Sequence, residues 1–349
     1  MMISSNKLTA IDLFAGAGGL TQGLKQAGFN VIGAVEIDDL AVETYSSNHP
    51  DVAVWKRDIV KLSARQIMRS LRIQKGQLDL LAGCPPCQGF SVMRTMNGGR
   101  EVIDERNDLV FEFIRLVREL LPKTIMMENV PGLASDKRMR KVRRTLGKLG
   151  YNSECRVLDA QDYGVPQRRC RMILVGSRVS HLKPCAASHR RQTVFSAISD
   201  LPEAGKSGDE LHDFPERRTQ AVIQLICDIP HDGGSRADLG PERQLRCHQS
   251  CNGFKDVYGR MKWHDVAPTI TTGCFNPSKG RFLHPVENRN ITLREAALLQ
   301  SFPIDYKISL RRGKTNAAVM IGNALPPLFI EKHAEKIRRS IERAGRNSL

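Results

Sequence analysis

The chain has no apolar run long enough to span a bilayer, which excludes a helical membrane anchor. Its opening "MMISSNKLTAIDLF" lacks the charged-then-apolar layout of a secretion signal, so export is not expected. There is no internal repeat and no low-complexity tract. Cys84 and Cys87 form a C-x-x-C, but no second such pair exists to complete a zinc site. The other cluster, "CHQSC" at 247–251, matches common zinc spacings poorly, and no metal is expected. The glycine-rich turn near the start is not followed by Lys-Ser/Thr, which excludes a P-loop.

What is present is a chain of 349 residues with ordinary globular composition, 41% hydrophobic and 26% charged. Length suggests two or three domains. Nine scattered cysteines, an odd number, fit reduced thiols and a cytoplasmic location. The net charge of +16, fed by "KRMRKVRRTLGK" (137–148) and "HRRQ" (189–192), suits a polyanionic partner, nucleic acid above all. A basic but merely solvated surface is the alternative.

Residues 8–175 alternate strand-like runs with amphipathic helical ones. "TAIDLFAG", "VIGAVEID", "VAVWKRDI", "LDLLAG" and "TIMMENV" read as strands, with "CRMILVGSR" as one more at the end. This spacing predicts a doubly wound, mostly parallel α/β sheet of Rossmann-like type. From 178 to 288 glycine, proline, aspartate and histidine break the pattern. We therefore expect an α/β domain over 1–177, a smaller irregular domain over 178–288, and C-terminal helices over 289–349 packing back on the first.

The candidate site gathers at strand ends. "DLFAGAGGL" (12–20) follows a strand and opens a helix, and Gly16, Gly18 and Gly19 allow close approach to a ligand. Glu36 ends the next strand, where a carboxylate can accept ribose hydroxyls, and Asp58 ends the third, where it can accept from an adenine amine. Singly, either acid would serve as well for a helix cap. Cys87 follows the fourth strand in "GCPPCQGFS", a loop stiffened by Pro85 and Pro86. It is placed as a nucleophile, with a Cys84–Cys87 redox dithiol as the rival reading. Glu128 ends the fifth strand among apolar neighbours, where burial would favour its protonated form. In "QRRCR" period-two alternation puts Arg169 and Arg171 on one face, suited to a carbonyl, carboxylate or phosphate, or to salt bridges within the fold.

The blocks "DLFAGAGGL", "GCPPCQGFS", "ENVPG", "QRRCR", "LREAALLQSFP" and "GNALPP", in this order across residues 12–327, resemble the DNA (cytosine-5)-methyltransferase family. The resemblance implies the S-adenosylmethionine-dependent version of the fold, double-stranded DNA as partner, and attack by Cys87 on C6 of a flipped-out cytosine. It implies that Glu128 binds N3 and the exocyclic amine, that Arg171 contacts O2, and that Arg169 supports Cys87 or its loop. Phe14, Gly16, Glu36, Asp58, Pro86, Leu109 and Asn323 match positions lining the cofactor. Gln88, Gly89, Ser91 and Arg94 match a loop that closes over DNA, and Thr269 and Thr271 of "TIT" a piece contacting the target's backbone. The irregular 178–288 stretch then corresponds to the target-recognition domain.

The absence of a long N-terminal extension suggests a compact bacterial or phage modification enzyme. It is expected to act as a monomer, nucleoid-associated, either beside a cognate restriction endonuclease working separately or as a solitary methylase, which reads the same. A tRNA-methylating relative is disfavoured because no Cys-Phe-Thr occurs. A non-catalytic DNA-binding relative is disfavoured because Cys87, Glu128 and Arg171 are all retained.

Overall fold

In the computed structural model, residues 7–86, 109–188, 191–243 and 256–346 are described. Cys87, Gln88, Gly89, Ser91 and Arg94 lie outside the described residues. The chain divides into two compact units: residues 1–160, 170–188 and 326–349 form the first, and 161–169 with 189–325 the second.

The first unit is built on a seven-stranded sheet ordered β3-β2-β1-β4-β5-β7-β6. Its strands are β1 (Thr9–Leu13), β2 (Asn30–Glu36), β3 (Ala53–Lys56), β4 (Leu80–Gly83), β5 (Thr124–Asn129), β6 (Asn152–Asp159) and β7 (Cys170–Ser177). β1 to β5 pair in parallel, and β7 runs antiparallel to both β5 and β6. Strand order reverses between β1 and β4, so the crevice of this doubly wound sheet opens beyond their carboxyl ends. Central strands are apolar on both faces: every residue of β4 and β5 is buried. β6 escapes the sequence reading because, as an edge strand, it is half exposed and reads "NSECRVLD". The strand expected last, β7, lies inside that edge.

Helices α1 (Gly19–Gln26), α2 (Asp39–Asn48), α3 (Ala64–Leu71), α4 (Leu109–Leu120) and α5 (Lys137–Lys148) connect the strands. Their starts are chemically marked. Asp38 accepts from the N–H groups of Leu40 and Ala41, Ser63 and Gln66 form a capping box, and Asp136 accepts from Arg138 N–H. One face of the sheet buries Ile11, Leu13, Leu81, Ile125 and Met127 against Ile67, Phe113, Leu116, Val142 and Leu146 of α3, α4 and α5.

In the second unit α6 (Val194–Ile198), α7 (Gln220–Asp228), α8 (Leu293–Leu299) and α9 (Gly313–Asn323) are set among long irregular segments, while α10 (Pro327–Arg346) belongs to the first unit. The expected C-terminal block 289–349 is divided at Pro326: α8 and α9 group with the irregular stretch, and α10 groups with the sheet unit, packing on α1. Gly23 of α1 faces the Pro327 carbonyl and Ile330 so closely that any Cβ would collide with them. Only a glycine admits α10 there.

Loops leave carbonyls that strands would have paired, and buried arginines supply the donors. Arg260, fully buried, donates to the carbonyls of Ile226 (2.8 Å), Ile229 (3.0 Å), His284 (3.1 Å) and Glu287 (2.6 Å). It knits the small apolar cluster of Ile226, Ile229 and Leu283 to its surrounding loops.

Candidate active site

Because β1 to β5 are parallel, Phe14–Gly19, Glu36, Asp58, Cys84–Pro86 and Glu128 all reach one edge of the sheet. The turn after β1 is tight: Phe14, Gly16 and Gly18 have φ of 61°, 53° and 94°. Glycine takes such values freely, whereas Phe14 is held there against its preference. Gly16 has no atom within 4 Å of where a Cβ would stand, so its backbone faces open space. Glu36 closes the turn. Its Oε2 accepts from Gly16 N–H at 2.7 Å, and Oε1 accepts from the N–H groups of Ile37 (2.8 Å) and Asp38 (2.9 Å). Three backbone donors fix the carboxylate at the lip of the crevice. Asp58 does cap a short helix, its Oδ1 accepting from Val60 N–H at 3.0 Å, while Oδ2 makes no hydrogen bond among the described residues.

Beneath this turn lies a buried polar group that the sequence reading passed over. Asp12 Oδ2 accepts from the Thr21 hydroxyl at 2.7 Å, which also meets the Tyr45 hydroxyl at 2.7 Å. Asp12 is fully buried, and its Oδ1 has no hydrogen-bond partner among the described residues. Burial pushes its carboxyl up to about 7, opposed by the Thr21 hydrogen bond and reinforced by the Glu36 charge. His49, in edge contact with Tyr45, is lowered to about 4 by burial and by Lys25, so it is neutral. The signal in the sequence is an aspartate inside the apolar run "TAIDLF".

These residues test what the crevice can hold. A glycine turn at a helix N-terminus commonly cradles phosphate, but here Asp12 and Glu36 place two carboxylates beside it. An anion would be repelled, and a cationic ligand bearing ribose hydroxyls suits the same groups. S-Adenosylmethionine, a sulfonium, fits that donor and charge set.

At the other side of β4, Glu128 and Arg171 form an ion pair, Nε to Oε1 at 2.8 Å, with both side chains largely buried. Arg171 Nη1 also donates to the Cys170 carbonyl at 2.7 Å. The antiparallel pairing sets this geometry: Glu128 lies opposite Ile173 and Asn129 opposite Met172, which brings Arg171 to the edge where β5 ends. The reading of Glu128 from burial alone left this guanidinium out. Asn129, another residue the sequence reading missed, donates from Nδ2 to the Pro85 carbonyl at 2.8 Å and so fixes the chain just before Cys87. Burial, and then the Glu128 charge, push the Cys84 thiol well above its ordinary range, so Cys84 is a protonated thiol. No group of three or more metal-ligating side chains occurs among the described residues.

Arg169 is the last residue of its segment in the second unit, and Cys170 and Arg171 belong to the first. The buried Arg169 donates to the carbonyls of Ile270 (3.0 Å), Gly322 (2.9 Å) and Ala324 (3.1 Å). Thr269 gives its hydroxyl to the Arg168 carbonyl at 2.7 Å, whereas Thr271 is exposed. Asn323, the exposed last residue of α9, belongs to this second unit. Phe14, Gly16, Gly18, Gly19, Glu36, Asp58, Pro86 and Leu109 belong to the first.

The model of the family described as C-5 cytosine-specific DNA methylase matches residues 8–339. The type II methylase M.HgiDII of Herpetosiphon aurantiacus is 34% identical over 349 residues, covering 95% of each chain. The type II methyltransferase M1.HphI of Haemophilus parahaemolyticus is 34% identical over 347 residues, covering 96% of this chain and 88% of the relative. Among solved structures, a candidate DNA modification methyltransferase encoded within an E. coli prophage superposes with a TM-score of 0.69 at 27% identity, covering 96% of this chain and all of the other. The S. pombe Dnmt2 methyltransferase, at 19% identity and a TM-score of 0.61, shows the shared fold.

Proposed function

Because the chain belongs to the C-5 cytosine-specific DNA methylase family, we propose that it methylates C5 of a cytosine within a specific double-stranded DNA sequence, using S-adenosylmethionine and a covalent Cys87 adduct. The observation that carries the reading is the Glu128–Arg171 pair, held at the same sheet edge as the Gly16–Glu36 turn. Cytosine C5 is a poor nucleophile until a thiolate adds to C6 and breaks the ring's aromaticity. The target must leave the duplex to be reached. Glu128 offers the base an acceptor for its exocyclic amine and, through a proton shared between them, a donor for N3. Arg171 fixes that carboxylate and places a guanidinium beside the base, where it can take O2. Negative charge that develops in the ring as Cys87 adds is thereby met by preset groups.

Glu36 and Asp58 would hold the ribose and adenine of the cofactor, and Phe14, Gly16, Gly18, Gly19, Pro86 and Leu109 would line it. When bound, this group supplies the electrophilic methyl. Loss of the C5 proton and departure of the Cys87 thiolate restore the aromatic ring. Gln88, Ser91, Arg94, Thr269 and Thr271 are assigned to DNA. The names of its relatives support a place in a type II restriction–modification system, with the endonuclease acting as a separate protein on the same sequence. Among the described residues no helix is long and apolar enough to cross a membrane.

The test is bisulfite sequencing of DNA from a methylation-free bacterial host expressing the protein, beside Cys87→Ala. Protected cytosines confined to one short sequence and lost in the variant are expected. A soluble, folded wild type giving no protection would refute DNA methylation.

A further inference from the structure

Helix α5 carries a device that the proposed chemistry leaves unused. One face, Met139, Val142 and Leu146, is buried against the sheet unit's core. At 100° per residue, Lys137, Arg140, Lys141, Arg144 and Lys148 fall within an arc of about 100° on the opposite side, a stripe about 16 Å long. All five are exposed, and the helix contains no acidic residue. None of the five forms an ion pair among the described residues. Lys141 has only the Phe111 ring, 4.6 Å from its Nζ. Asp136, the nearest acid at the cap, is taken by Arg138 at 2.8 Å.

Other helices treat their cations differently. Arg338 pairs with Glu342 at 2.7 Å on α10, and Arg115 with Glu112 at 2.7 Å on α4. On α5 the pairs 137/141, 140/144 and 144/148 set like charges at i,i+4, each destabilising, and Lys137 opposes the helix dipole. A helix that is self-repulsive along one line gains from an external line of negative charge.

We infer that the α5 stripe binds the phosphate backbone of duplex DNA outside the target cytosine, adding sequence-independent grip to the same DNA; the choice of DNA rests on the function proposed above. Phosphates recur about every 3.4 Å of axis on each strand, so about 16 Å of stripe spans several of them. The stripe begins one short turn, Pro131–Ser135, after the strand that ends at Glu128 and Asn129. DNA lying over that sheet edge has only to continue along α5. Such contacts fix position and carry no sequence information.

The experiment compares the full-length protein with a variant carrying Lys137→Gln, Arg140→Gln, Arg144→Gln and Lys148→Gln. Gln keeps helix propensity and removes the repulsions, so the variant should melt no lower than wild type. Binding to a random-sequence duplex of about 40 base pairs is followed by fluorescence anisotropy from about 50 to 200 mM salt. If each of the four cations neutralises one phosphate, the affinity lost over that range is about 100-fold smaller in the variant. Turnover on plasmid DNA at low salt should stay within about twofold of wild type. Identical salt slopes in the two proteins would overturn the inference. So would duplex RNA outcompeting DNA for wild type, with that preference lost in the variant. The predicted change in slope in a wild type without methyl transfer would leave the DNA surface standing and remove the methylase reading alone.

Discussion

At Glu128 a single proton-sized change separates charge from shape. Glu128→Gln keeps the side chain's volume but removes the carboxylate that Arg171 holds at 2.8 Å. If Glu128 accepts from the exocyclic amine and shares a proton with N3 as the thiolate adds, single-turnover methyl transfer should fall about 10²- to 10⁴-fold. Cofactor affinity should be unaltered. Glu36→Ala is the converse: if this carboxylate accepts from the cofactor's ribose hydroxyls, as proposed, cofactor binding should weaken about 10- to 100-fold. DNA affinity should stay unchanged. Isothermal titration with the cofactor and anisotropy with DNA separate the two. A Glu36→Ala protein that loses DNA but keeps its cofactor would show that the turn had been assigned to the wrong ligand. Cys84, a protonated thiol beside Glu128, is not asked for a nucleophile, and Cys84→Ala should retain most of the turnover.

At the scale of elements, the second unit depends on one close approach. The Arg169 guanidinium gathers carbonyls from the 267–272 segment and from the end of α9, and Gly322 lies there against the backbone of Thr271 and Thr272. A Cβ at 322 would strike main-chain atoms that have no rotamer to yield. Gly322→Ala should therefore cost about 1–3 kcal/mol, read as a lower midpoint in urea and faster proteolysis within 268–275. Arg169→Lys should act at the same place, because one ammonium cannot span three carbonyls. If either variant left stability unchanged and only slowed methyl transfer, Arg169 would belong to the chemistry after all. The same comparison shows what a sequence can disclose. The parallel strands and their helices were legible because apolar periodicity and caps such as Ser63 are local features. Glu36, Glu128 and the glycine turn were legible because strand ends of a parallel sheet share an edge. β6 was not, since an edge strand carries no apolar run. The carbonyls served by Arg169 and Arg260 were not, since they lie far away in sequence.

For the molecule as a whole, Asp12 ties folding to pH. In the native state burial raises its carboxyl from 3.8 to about 7, so the folded chain holds a proton that the unfolded chain has released. Stability from this group is fully present below pH 4 and is lost as pH rises toward 7, a difference on the order of 4 kcal/mol. His49 works in the opposite direction: its native value of about 4 makes its contribution appear above pH 6.5 and fade as pH falls through 4. The two overlap, so the wild-type curve alone does not isolate either. Asp12→Asn does, because the amide is close in size and never ionises. The variant should gain stability relative to wild type as pH rises from 5 to 8, read as diverging thermal midpoints. Equal gaps at both pH values would mean that Asp12 is not a buried, high-pKa acid. Neutral pH leaves this acid close to half ionised, a costly arrangement in a protein core unless negative charge is wanted there. A sulfonium bound at the Gly16 turn, as proposed, would favour the ionised form. Asp12→Asn should therefore melt higher at pH 8 while binding S-adenosylmethionine more weakly, and both effects should shrink together at pH 5.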